Sequence, residues 1–287
     1  MVSPGMAAGS PPAGEPDFAL HVLTRSDQAR RRRRIEMVAL GVGVPVILLT
    51  IWEVLTLTGV WDAVFFPAPS AIFMDMVDQV RTSAGLATLG ADIGVTMRDA
   101  AIGYAIGAAG GFIVGMAMGL SRLTFYGLGP IMYGTLPTPK LVLYPMFIII
   151  FGIGIGSTIA ICAMGVFYFV CMSTLTGVRF SSSVYREVGA VFSVPWTLRY
   201  RSIIAPAALP SVVTGLRLGL GSALVIVLAV EFISSTNGMG VYIWNAWQAL
   251  QVGQMFAGLL VMVIIGGILV IGGNWLERLA VPWKNDD

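Results

Sequence analysis

Charge is what this chain has least of. Only 11% of its 287 residues are charged, against about 25% in an average soluble domain. So few charges cannot clothe a globular surface in water, which excludes a soluble enzyme and a disordered chain. Histidine occurs once, as His21, and a lone imidazole without ligand partners makes no metal site. The two cysteines, Cys162 and Cys171, share one apolar stretch. Their separation is about 13 Å along a helix, beyond disulfide reach within it. They read as small buried packing residues, and a disulfide-stapled fold is excluded. Lysine occurs twice, as Lys140 and Lys284, and neither sits in a G-x-x-x-x-G-K-[ST] run. H-E-x-x-H, paired cysteines at metal spacing and a nucleophile elbow are absent too. The chain is therefore expected to be non-catalytic and without a cofactor of its own. Uphill transport would draw on an ion gradient or on another subunit.

What is present is apolar length. Hydrophobic residues make up 56% of the chain, and its mean hydropathy is +0.84. The partner this composition demands is a lipid bilayer, not nucleic acid. Crossing one takes about 20 apolar residues in a helix. Six stretches qualify, near 37–57, 98–120, 128–151, 157–176, 212–233 and 253–275. The first has the length of an uncleaved span rather than a signal peptide. The expected fold is an all-α polytopic membrane protein with six transmembrane helices. A disordered basic tail is expected over 1–36, and an extracytoplasmic segment with a short amphipathic helix over 58–97. Five spans over 98–276 form the core, with a loop at 177–211 between the fourth and fifth of them in the whole chain. A tail over 277–287 closes it. The amphipathic helix starts at Ser70, which can cap it, and carries Ile72, Phe73, Met76, Val77 and Val80 on one face.

Basic residues set the orientation. With six spans, Arg25, the arginine run 30–34, Arg122, Arg179, Arg186, Arg199, Arg201, Arg278 and Lys284 fall on one side. Arg81 and Arg98 fall on the other, with Asp62, Asp75, Asp78 and Asp92. Both termini are accordingly expected in the cytoplasm. Trp244, Trp247, Trp275 and Trp283 read as interfacial anchors. Gly103, Gly107, Gly111, Gly115 and Gly119 recur every fourth residue, and Gly215 and Gly219 repeat the pattern. Such stripes let two backbones approach in lipid. Packing within the chain is expected to use them in preference to a dimer seam.

The most informative segment runs from Arg186 to Phe232. It opens as a short amphipathic helix, with Val188, Val191 and Phe192 at helical spacing beside Arg186 and Glu187. Pro195 interrupts it, and Pro206 and Pro210 punctuate the start of the fifth span. A short helix with apolar knobs, held against a membrane domain, suits a groove on a partner. This segment resembles the cytoplasmic loop of binding-protein-dependent ABC transporter permeases, whose pattern opens Glu-Ala-Ala, has a central Gly and closes Ile-x-Leu-Pro. Glu187, Ile203 and Pro206 fall at the Glu, Ile and Pro positions. Val188 and Gly189 replace the alanines, Ser193 the glycine and Ala205 the leucine. FPAPSAIF from Phe66, TLPTPKLVLYPMFIIIFGIG from Thr135, AVEFISSTNGMGVYIWNAW from Ala229 and NWLERLAVPWK from Asn274 resemble the nitrate/sulfonate/taurine branch. The resemblance spans roughly 37–284. It implies a type I ABC importer permease fold and a second permease subunit, identical or homologous. It also implies an extracytoplasmic solute-binding protein and ATP-binding subunits that hold ATP and Mg. Coupling to those subunits is implied for Arg186, Glu187, Val188, Gly189, Val191, Phe192, Ser193, Ile203 and Pro206.

Ionisable residues at membrane depth are costly and read first as functional. Lys140 lies roughly 18 Å along the third span, flanked by Pro137 and Pro139, which should break the helix beside protein or a water-filled cavity. It reads either as a cationic point on the translocation path, suited to an anion, or as a structural or snorkelling lysine. The resemblance places a lysine here often. Glu231, near the outer end of the fifth span, reads as part of an outer gate, as the partner of a basic group, or as a structural cap on the Asn237–Gly240 loop. The expected function is a permease subunit that passes a small, anionic solute by alternating access. An ion-coupled secondary transporter and a non-transporting scaffold stay open as alternatives. The first would show more buried carboxylates or an internal repeat; the second has no need of a charged, proline-broken span.

Overall fold

The computed structural model describes residues 16–191, 195, 198 and 200–282, and side chains outside 16–35, 38, 180–191 and 203. Among the described residues every regular element is helical. Two units are described separately, residues 1–69 and 70–287. Five helices are long and apolar enough to cross a membrane, and six spans result if one bent pair counts as a single span.

The first unit is built on helix α1, Pro16–Leu57. It starts ahead of Met37, so the tail expected to be disordered as far as residue 36 is helical from Pro16. The physical reason is composition. Pro16 suits the first turn of a helix, and no glycine or proline interrupts the next stretch, rich in Ala, Leu and Arg. The Thr56 hydroxyl donates to the Trp52 carbonyl and to the Phe66 carbonyl, at 3.1 Å each. The second bond ties the returning chain to the helix end, with Trp61 against Phe66 at 5.3 Å between ring centroids.

The second unit, from residue 70 on, holds α2 (Pro69–Arg81) but for its first residue, then α3 (Ser83–Leu120) and α4 (Arg122–Thr135). A 3-10 turn, Lys140–Leu143, leads to α5 (Tyr144–Phe151), and then comes α6 (Ile155–Val191). A π-helical turn, Tyr200–Ile204, precedes α7 (Ala205–Ser234), α8 (Met239–Gln248) and α9 (Val252–Ala280). The amphipathic helix expected from Ser70 corresponds to α2, which already begins at Pro69, so Ser70 lies in its first turn and not at its cap; it buries Ile72. α3 starts well ahead of the Arg98 boundary expected for the second span. α6 runs on to Val191, so part of the segment expected as loop continues the fourth span.

The third span is the main departure from straight helices. α4 and the pair formed by the 3-10 turn and α5 meet at 94°. The break holds Leu136, Pro137, Thr138 and Pro139. Two prolines remove two backbone donors; Leu136 keeps helical geometry, and the chain turns extended at Pro139, at ψ 110°. The stretch 128–151 is therefore two half-length helices around a corner.

α3, α6 and α7 form the core of this unit. The glycine stripe of α3 explains why α3 and α6 lie so close. A Cβ added at Gly107 would stand 2.3 Å from the Ala163 carbonyl oxygen, and one at Gly115 2.5 Å from that of Cys171. At Gly111 it would meet the Phe167 carbonyl at 2.6 Å. The backbones touch, as small residues allow in lipid, where burial of apolar surface supplies no drive between helices. The stripe thus serves packing within the chain. Cys162 and Cys171 are free and fully buried on the α6 side of the same seam. Gly215 of α7 repeats the arrangement against Ser173 and the Phe169 carbonyl.

Candidate functional site

Among the described residues of the second unit, two gatherings of polar groups stand at helix ends, and each has its own physical cause. The first is at the start of α8. A helix N-terminus presents backbone N–H groups with no partner of their own and a partial positive charge. Here the Gly238 N–H donates to Asp92 Oδ1 at 3.0 Å and the Met239 N–H to Thr96 Oγ1 at 2.9 Å. The Gly240 N–H donates to Glu231 Oε2 at 2.7 Å. The Thr96 hydroxyl in turn donates to Glu231 Oε1 at 2.8 Å. Glu231 is 3% exposed, so these bonds and the helix end are what satisfy its buried carboxyl group. Gly238, at φ +118°, admits the carboxylate where a side chain would collide with it at 2.4 Å. These contacts are the ones a capping carboxyl group makes. Nearby, the Tyr242 hydroxyl donates to Gln79 Oε1 at 2.7 Å, linking α8 to α2. Burial is the largest cause pushing that phenol above its ordinary range, which keeps it a donor.

The second gathering is at the corner of the broken span. Four carbonyls at a helix C-terminus lack partners, and a lysine just beyond the last turn can supply them. Lys140 Nζ donates to the Leu136 carbonyl, and to that of Thr135 at 3.5 Å. It also stands over the Tyr168 ring, 4.5 Å from its centroid. The Tyr168 hydroxyl pairs with Thr135 Oγ1 at 2.6 Å. Lys140 is thus both a cap on α4 and a partly exposed cation.

That cation lines a cavity of about 1100 Å³ between the corner, α6, α7 and α9. Pro139, Tyr168, Ser222, Arg217 and Asn274 are among its walls, and the remainder is mostly apolar. The described lining carries two cations and no carboxylate. Pro137 and Glu231 are outside it. A smaller cavity of about 450 Å³ shares Met172 with the first and is lined by the hydroxyls of Ser173, Thr176, Ser211 and Thr214. The two lie along the same pair of helices, α6 and α7.

Arg217 went unremarked in the sequence although it sits inside an apolar run. Its Nη1 donates to Asn274 Oδ1 at 2.8 Å and to Glu277 Oε2 at 3.0 Å. The rule that singled out Lys140, an ionisable residue within a span, applies to Arg217 equally. Its position close to the cytoplasmic end in the expected topology lets it pass for a boundary arginine. The partners, about sixty residues away on α9, leave no local signal at all.

The expected coupling segment is only partly described. Phe192 and Ser193 lie outside the described residues, as do the side chains of Arg186, Glu187, Val188, Val191 and Ile203. The backbone of Arg186, Glu187, Val188, Gly189 and Val191 forms the end of α6, and Ile203 lies in the π-helical turn. Pro206 occupies the first turn of α7, where a missing N–H costs nothing. Ile204, Ala208 and Val178 are buried together against Met116, Leu120 and Tyr200. This cluster ties the start of α7 to α3 and α6. Arg179 stacks on Phe125, 3.2 Å from the ring centroid, fixing α6 to α4 at the same end.

Comparison with known proteins adds independent findings. Residues 107–285 match the family described as binding-protein-dependent transport system inner membrane component. The chain is 30% identical over 245 residues to the putative aliphatic sulfonates transport permease protein SsuC of Bacillus subtilis, covering 85% of this chain and 87% of that one. It is 30% identical to the taurine transport system permease protein TauC of Escherichia coli, covering 87% and 91%. It is 26% identical to the nitrate import permease protein NrtB of Synechococcus elongatus, covering 82% and 87%. Among solved structures, an amino acid ABC transporter crystallised with histidines superposes with a TM-score of 0.57 at 15% identity, over 73% of this chain and 97% of that one. That last likeness speaks for the fold.

Proposed function

The chain belongs to the binding-protein-dependent ABC permeases, in their nitrate, sulfonate and taurine branch, and from that premise we propose that its helices form the translocation path for a small anionic solute. As a family member it is a multi-pass importer subunit of the bacterial inner membrane, and the family implies ATP-binding subunits and a solute-binding protein beside it. The observation that carries the proposal is the cavity of about 1100 Å³, walled by Lys140 and Arg217 with no described carboxylate. In a low-dielectric wall, two cations attract an anion far more strongly than they would in water. The proline-broken corner at 136–139 puts backbone carbonyls beside that space, where they are capped by Lys140 instead of facing lipid.

The mechanism we infer is alternating access. ATP and Mg bind in the partner subunits, and closure of those subunits moves the segment from Arg186 to Pro206. The buried cluster of Val178, Ile204 and Ala208 passes that movement to α3, α6 and α7. Solute delivered by the binding protein enters the cavity and leaves by the hydroxyl-lined space below Met172. Both termini face the cytoplasm in this reading, and a second permease subunit completes the pore.

The test is reconstitution of the full complex, recovered in mild detergent on a tagged chain, into liposomes with its binding protein. ATP-dependent uptake of labelled taurine, an alkanesulfonate or nitrate, with no uptake of cationic solutes, is the expected result. Uptake by this chain alone on an ion gradient would overturn the ATP-driven reading. A complex that assembles and transports none of these anions would overturn the anionic one.

A further inference from the structure

The two cations of the cavity are engaged differently. Lys140 spends its ammonium on the carbonyls that end α4 and on the Tyr168 ring. Arg217 carries five N–H donors in a rigid planar fork that matches an oxyanion. Both of its hydrogen bonds to Asn274 and Glu277 leave from the single nitrogen Nη1. The pair is also lopsided in exposure. The Arg217 side chain is 37% exposed and that of Glu277 10%. Arg217 and Asn274 belong to the cavity wall, and Glu277 does not. The carboxylate therefore meets the guanidinium from outside the cavity wall, while Arg217 itself lines the open space.

We propose that Arg217 is the oxyanion-binding centre of this cavity, oriented by Asn274 and Glu277, and that Glu277 weakens its hold enough for the anion to leave again. The ligand class is a small sulfonate, carboxylate or nitrate-like oxyanion. The proposal rests on the cavity being part of the translocation path. Its chemistry explains the arrangement. A bare guanidinium in a partly apolar wall would keep an anion, whereas conduction needs a site favourable enough to enter and weak enough to release. A carboxylate behind the cation lowers the local field without blocking the face that meets solute. Ser222 and Tyr168 add hydroxyls to the same wall.

The chain's own chemistry offers a test that needs no known substrate. Its two cysteines are free and fully buried, so Ser222→Cys would add one thiol on the cavity wall. Two reagents of similar size serve as probes, the anionic 2-sulfonatoethyl methanethiosulfonate and the cationic 2-(trimethylammonium)ethyl methanethiosulfonate. The full-length chain is labelled in membrane vesicles, co-expressed with its ATP-binding subunit, and modification is read on this chain by mass. The anionic reagent should react faster. Glu277→Gln should raise the anion-to-cation rate ratio several-fold. The double variant Arg217→Gln/Glu277→Gln should lower the ratio roughly tenfold relative to Glu277→Gln, as expected for the one unit charge by which the two differ at short range. An unchanged ratio in both variants, or a lower one in Glu277→Gln, would overturn the proposal. ATP-driven uptake separates the two readings. Ratios that move as expected with undiminished uptake in the double variant would leave the anion centre standing and remove the cavity from the path. Lost uptake with unmoved ratios would keep the path and remove the anion centre.

Discussion

Glu231 shows how one side chain can look functional and be explained by its neighbours. Its carboxylate answers the Gly240 N–H and the Thr96 hydroxyl at once. Glu231→Ala would leave both donors without their partner in a buried place, which costs about 1–3 kcal/mol. Thermal unfolding of the detergent-purified chain should show that loss, and Glu231→Gln, which keeps an acceptor, should recover most of it. If Gln and Ala were equally damaging, the charge itself would matter and the cap would not be the whole account. Gly238 belongs to the same argument. Its φ of +118° and the carboxylate 2.4 Å from a built Cβ both oppose any larger residue. Gly238→Ala should destabilise by roughly 1–3 kcal/mol in the same measurement.

Among the helices, the decisive contact is the seam between α3 and α6. At Gly107 a methyl group would have to displace the Ala163 carbonyl, which is backbone and cannot swing away. Gly107→Ala should therefore force the two helices apart and lower the melting temperature, at a cost on the order of 1–3 kcal/mol. Gly90, on the same helix, has nothing within 4 Å of a built Cβ. Gly90→Ala should be neutral or slightly stabilising, since alanine is the better helix former. Equal effects at the two positions would mean that the stripe does not act through close approach. The stripe itself was legible, because a spacing of four is a helix-face signal. Its partner face on α6 was not, because Ala163, Phe167 and Cys171 meet it through carbonyls that every residue carries.

For the whole molecule, the question is how a segment far from the cavity could move it. The start of α7 is clamped by Val178, Ile204 and Ala208, and the end of α6 is stapled to α4 by Arg179 on Phe125. A push delivered between residues 186 and 206 would reach both helices that wall the cavities. Glu187→Arg should leave the chain in the membrane while abolishing ATP-driven uptake or co-purification with the ATP-binding subunit. Val191→Asp should do the same by placing a charge where an apolar knob is expected. Normal assembly and normal uptake in both variants would remove this segment from the coupling route.

Class, number of apolar stretches and family were legible from residues alone, because each is carried by local or linear information. An apolar run long enough to span a bilayer declares itself wherever it stands. The prolines at 137 and 139 announced a break for the same reason. Tertiary structure decided what that break does, turning one expected span through 94° and giving Lys140 two carbonyls to cap. It also decided which charges meet. Thr96 and Glu231 are separated by 135 residues, and Arg217 and Glu277 by 60. Only the packing of α3, α6, α7 and α9 brings such pairs within bonding distance. The sequence states which residues are expensive to bury in lipid; the fold chooses the partners that make their burial tolerable.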